Sequence, residues 1–144
     1  MRLLIFLIAA MCSACQPAST PTAASAGSGS STGFFTNGDV RLSYRLDLPE
    51  RSSPVGAVVF GHGSGQQSKD SCRFLADGFV SRGFATPCFD KRGVGQPSGT
   101  FVFVGARDSI PGFDGLASDI AAGVAFLRTG AEIDRARIAP AGVS

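Results

Sequence analysis

The run Ala57-Val-Val-Phe60 is unbroken by any polar residue and ends on the glycine-rich segment Gly61-His-Gly-Ser-Gly65. A run with no polar phase suits a strand buried on both faces, and such strands belong to parallel sheets covered by helices on either side. The flanking pattern agrees. Ser68 to Arg82 places Cys72, Leu75 and Phe79 on one helical face and meets Gly83, a residue suited to ending a helix. Phe84 to Phe89 reads as the next strand, running into Asp90. Leu116, Ile120, Val124 and Leu127 mark a second helix, and Arg137 to Val143 reads as a further strand. Upstream, Phe34-Phe35-Thr36 and the strictly alternating Val40 to Leu48 flank Asn37-Gly38, which predicts a hairpin through a type I′ turn. The order β-β-β-α-β-α-β implies an α/β fold, mostly parallel, with an antiparallel amino-terminal hairpin.

A chain of 144 residues allows one domain, and with 44% hydrophobic and 17% charged residues it is expected to bury an apolar core. The net charge of +2, with its basic residues scattered, argues against a nucleic-acid partner. A single histidine argues against a His-rich metal site, and no metal or other cofactor is expected.

Arg2 precedes the apolar run Leu3 to Met11, which fits the core of a secretory signal and is far shorter than the roughly 20 residues a membrane-spanning helix needs. Ser13-Ala14-Cys15 resembles the lipobox of bacterial lipoproteins. That resemblance implies a signal over residues 1–14 and a lipid-carrying Cys15, with an ordinary cleaved signal as the alternative. Cys12 and Cys15 make a poor redox or zinc pair, because they close an export signal and have no second pair. Residues 15–32, almost wholly Ser, Thr, Ala, Pro and Gly, read as a flexible tether, and residues 33–144 as the folded domain. The expected place is the bacterial cell envelope, in the periplasm or on the outer surface, with membrane contact through the lipid.

In sheets of this kind ligands meet the protein beyond the carboxyl ends of the strands. Three segments lie there: His62-Gly63-Ser64-Gly65, Asp90-Lys-Arg-Gly-Val-Gly95 and Gly142-Val-Ser144. In order and spacing they resemble the oxyanion loop, the D-x-R-G-x-G turn and the opening of the G-x-S-x-G nucleophile elbow in the amino-terminal half of an α/β-hydrolase domain. The resemblance covers Phe34 to Ser144. It implies acyl transfer to water through an acyl-serine intermediate, with Ser144 as nucleophile and the N–H of Ser64 as one donor to the oxyanion. Gly142 would keep the elbow clear of side chains, and His62 would brace its loop by hydrogen bonding rather than act as base. Asp90 and Arg92 would form an internal ion pair fixing the turn that carries Gly93 and Gly95.

In the resembled fold the triad acid and base follow the serine. The sequence therefore reads as part of an exported serine hydrolase acting on carboxylic esters, truncated at the elbow and inactive by itself. Two alternatives stand beside it: a serine peptidase of the prolyl-oligopeptidase type, and a non-catalytic surface lipoprotein that keeps the scaffold for binding. A dinucleotide cofactor on Gly93 to Gly99 is unlike the sequence, since Ser98 occupies the third glycine position. Cys72 near the start of its helix and Cys88 near the end of the following strand lie toward the same end of the domain, which allows a disulfide or two buried thiols. Pro87 and Pro140 interrupt strands that should be central, implying either local bulges or a sequence drifting after loss of function.

Overall fold

The computed structural model describes residues 28–51, 53–95, 99–101 and 110–142. Cys15, Pro97, Ser98, Val143 and Ser144 lie outside them. The strands are β1 (Gly29–Asn37), β2 (Val40–Leu48), β3 (Val55–Gly61), β4 (Thr86–Phe89) and β5 (Ile133–Gly142), with helices α1 (Arg73–Val80) and α2 (Ile110–Leu127). β2 pairs antiparallel with both β1 and β4, and β3 pairs parallel with β5. A parallel bridge between Ala57 and Ala85 sets β3 beside β4, giving the order β1-β2-β4-β3-β5.

The apolar run of β3 is buried on both sides, as its pattern predicts. Val58 and Phe60 pack with Cys72, Ala76, Leu75 and Phe79 beneath α1. Ala57 and Val59 face the opposite core, which Phe35, Phe89 and Leu127 share with Ile120 and Val124 of α2. Alternation along one strand thus puts one helix on each face. At Gly61 the strand touches α2 so closely that a Cβ there would stand 2.5 Å from Ile120 Cδ1.

Three local expectations change. The strand β1 begins at Gly29, inside the segment read as tether, because Gly29 to Thr32 pair with Leu48 to Arg45 through backbone bonds that need no apolar side chain. The hairpin loop is Gly38-Asp39, not Asn37-Gly38: Asn37 still pairs with Val40. Gly38 has φ +57° and among the described residues no non-glycine has positive φ, which fits a type II′ turn and excludes type I′. The first helix starts late, at Arg73. Its expected first turn is held instead by Ser68 N–H donating to Ser71 Oγ (3.0 Å) and Asp70 N–H donating to Ser68 Oγ (3.3 Å), side-chain bonds that compete with helix. The helix ends as Gly83 suggests, with Gly83 N–H on Val80 O (3.0 Å) and Phe84 N–H on Phe79 O (3.1 Å), the two bonds of a Schellman motif.

Neither proline makes a bulge. The one register shift between β3 and β5 lies between Val55 and Ala57, and β2–β4 pairing runs without interruption through Pro87. Ala85 both donates to Gly56 O and accepts from Val58 N–H (each 2.9 Å), so its alternate neighbour Pro87 also turns its nitrogen toward β3. Lacking an N–H, Pro87 cannot extend that ladder, and the β3–β4 junction is reduced to one bridge. Pro140 partners Val59 across a parallel pair, an arrangement that uses the N–H and C=O of Val59 and turns the proline nitrogen away from β3.

Candidate functional site

The register brings two of the three expected segments together. Gly61, the last residue of β3, pairs with Gly142, the last of β5, so the strand ends that precede His62 and Val143 in sequence lie side by side. The third segment, from Asp90, leaves β4 at the same end and closes beneath the His62 loop.

His62 follows β3, and its Nε2 meets the Phe89 carbonyl, at the end of the row in which Pro87 offers no donor. A carbonyl oxygen only accepts, so Nε2 carries the proton and the ring is a brace between the ends of β3 and β4. Burial pushes the imidazole pKa below its ordinary 6.5, and the nearby Lys91 charge lowers it further. Between that lowered value and 6.5 the unfolded chain binds the proton that the fold refuses. Stability contributed by neutral His62 is therefore full above 6.5 and is lost as pH falls through the lowered value. Thermal melts from about pH 7.5 to about pH 5 should show this loss in the wild type. In His62→Gln, which lacks the chain's one histidine, that acid-dependent component should vanish; an unchanged profile would refute it.

Lys91 is the residue that sequence reading missed. Its side chain is fully buried, and Nζ donates to Gly63 O (2.8 Å), Ser64 O (3.0 Å) and Gly65 O (3.1 Å). Its backbone N–H donates to Gln67 O (3.0 Å), while Gln67 Oε1 accepts from Gly63 N–H (2.7 Å). The His62 loop is thus fastened at both ends and from below. A signal existed: a lysine two residues after Phe89, the end of the buried strand, and so in the same phase of its alternation.

The expected Asp90–Arg92 ion pair does not form. Asp90, 1% exposed, accepts from Lys69 N–H (2.7 Å) and pairs with Lys69 Nζ (3.3 Å) before α1. Arg92 instead reaches α2, donating from Nε to Asp119 Oδ2 (2.8 Å), from Nη2 to Asp119 Oδ1 (2.6 Å) and from Nη2 to Gly115 O (3.1 Å). The turn before α1 takes one charge and α2 the other, each on its own side of the Asp90 turn. Asp119 also accepts from Asn37 Nδ2 (2.8 Å), tying the hairpin to α2. Its clue in the sequence was a carboxylate beside Ile120 on an otherwise apolar helix face. Gly93 holds φ +73°, and a Cβ on it would lie 2.1 Å from Phe101 N, so this turn requires glycine. Gly95 is likewise left-handed, at φ +72°.

Cys72 and Cys88 are joined by a disulfide, with Cα atoms 6.2 Å apart. Ser64 and Gly65 are exposed at the loop's tip.

Comparison with known proteins places this arrangement. The family described as serine aminopeptidase, S33, matches residues 52–141. Among solved structures, the chain is similar to hypothetical protein PA2218 from Pseudomonas aeruginosa, with 27% identity and a TM-score of 0.65 over 81% of this chain and 35% of that one. It is similar to the α/β hydrolase GrgF from Penicillium sp. sh18, with 21% identity and a TM-score of 0.63 over 80% of this chain and 37% of that one. It is also similar to Est1E from Butyrivibrio proteoclasticus, a structure with bound ferulic acid, at 20% identity and a TM-score of 0.61 over 78% of this chain and 42% of that one. The chain therefore spans well under half the length of these structures. No curated protein matches it.

Proposed function

The chain belongs to the serine aminopeptidase S33 family of α/β hydrolases, and from that membership we propose that it is the amino-terminal part of an exported serine hydrolase cleaving carboxylic esters. The observation that carries the reading is the Gly61–Gly142 pairing, which sets the fastened loop beside the strand that leads to Ser144. Ser144 Oγ attacks the acyl carbon while a base takes its proton. The alkoxide leaves with that proton, and water then attacks the acyl-serine, releasing the acid and restoring the hydroxyl. The N–H of Ser64 faces the oxygen that gains negative charge.

The acid and base are assigned to sequence beyond Ser144, so these 144 residues alone are expected to be inactive. The signal over residues 1–14 and the lipid-bearing Cys15 would hold the enzyme at the bacterial envelope, with a small-molecule ester as substrate. The family description favours a second reading, cleavage of peptides.

The test uses the reading frame continued past Ser144 and a fluorophosphonate probe. The continued protein should form an adduct that Ser144→Ala abolishes, and it should turn over nitrophenyl esters faster than aminoacyl nitroanilides. The reverse preference selects the peptidase. Undiminished turnover in Ser144→Ala overturns Ser144 as the nucleophile; no adduct, no turnover and no histidine in the continued frame leave only a non-catalytic lipoprotein.

A further inference from the structure

We propose that Lys91 is a positioning residue whose ammonium draws the carbonyls of Gly63, Ser64 and Gly65 inward and thereby aims the N–H groups of Ser64, Gly65 and Gln66 outward, toward the developing oxyanion. The inference rests on the acyl-transfer reading above and adds to it the part that builds the hole.

An ammonium has three donors, and a buried one is retained only where all three are satisfied. Lys91 meets that condition with three consecutive carbonyls at 2.8, 3.0 and 3.1 Å. No peptide bond among the described residues is cis, so in each of these peptide units the N–H points opposite to the C=O. Carbonyls 63 to 65 turned down onto Nζ oblige the following N–H groups to face the other way, and the tip at Ser64 and Gly65 is exposed. Gly63 N–H is held by Gln67 Oε1, which confines the outward row to the next three residues. Such a row is what an oxyanion requires, and loop order before reaction is what makes the donors effective. The cation also polarises each amide it holds, which strengthens the N–H on the far side. Substrate does not touch Lys91; the residue acts through the loop.

The experiment compares wild type, Lys91→Met and Lys91→Arg in the protein continued past Ser144, reading amide exchange at residues 64–66 together with nitrophenyl-ester kinetics. Lys91→Met should speed exchange at those amides and lower kcat about 100-fold with KM little changed, the size of losing one oxyanion donor. Lys91→Arg, which keeps charge and donors, should recover part of both. Unchanged exchange in Lys91→Met overturns the clamp. Faster exchange with unchanged kcat overturns its link to catalysis. If Lys91→Met does not fold, Lys91→Arg decides by the same two readings: wild-type exchange with a full kcat loss counts against the proposal. A wild type that forms no fluorophosphonate adduct refutes the acyl-transfer reading itself, and the exchange arm distinguishes that failure from failure of the clamp.

Discussion

Replacing Asp119 with alanine is expected to destabilise the fold by about 3–5 kcal/mol, the usual consequence of removing one partner from a buried ion pair. Asp119 is 1% exposed and takes bonds from Arg92 Nε, Arg92 Nη2 and Asn37 Nδ2. Truncation strands the guanidinium, and because Arg92 remains 20% exposed and can recover some water, the loss should lie near the lower end of that range. Asp119→Asn keeps the shape and an acceptor and should cost less, about 1–2 kcal/mol. Denaturant unfolding of the single variants and of Asp119→Ala/Arg92→Ala supplies the check: the double variant should lose clearly less than the sum, since each single change orphans the same partner. Additive losses would mean that the two groups are not coupled. Against a typical total stability of about 5–15 kcal/mol the change is large. It also reaches the site, because Arg92 anchors the turn directly after Lys91, and a slackened turn should loosen the carbonyl clamp.

That pairing shows where sequence reading stops. Elements whose signal is their own periodicity were legible: the two-faced burial of Ala57 to Phe60, the helix ended by Gly83, the α/β order and the family resemblance now matched over residues 52–141. Partners chosen by third elements were not. Asp90 and Arg92 looked paired because they are two apart, but the turn before α1 offers Lys69 and α2 offers Asp119, and the chain itself cannot say which segment covers which face. The place of β2 between β1 and β4 is likewise a tertiary fact. Pro87 shows the same limit: its missing N–H was visible, yet its effect depended on whether the nitrogen faced β2 or β3. Lys91 was overlooked because lysine belongs to the surface by default, and only three convergent carbonyls make its burial tolerable.

Opening the Cys72–Cys88 bridge is expected to lower stability by about 3 kcal/mol, the chain-entropy value for a loop of about 15 residues, close to the sequence separation of 16 here. The Cα separation of 6.2 Å lies within the usual span for a disulfide, so the backbone need not move to form it. Both cysteines are buried under α1 with Val58 and Phe60, and Cys72→Ala/Cys88→Ala therefore removes the cross-link together with part of a packed core. Comparison of wild type with and without reductant isolates the cross-link, and the double alanine variant should then be insensitive to reductant. A thiol titration of unfolded, unreduced protein should find neither Cys72 nor Cys88 free; finding both would remove the bridge. The bridge also has a bearing on where the protein works. It fastens the start of α1 to β4, one turn away from Lys69 and two residues before Asp90, so its loss should first loosen the ion pair that seats the Asp90 turn under the His62 loop. Protein folded in an oxidising compartment should then hold that turn more firmly than protein made in a reducing cytoplasm.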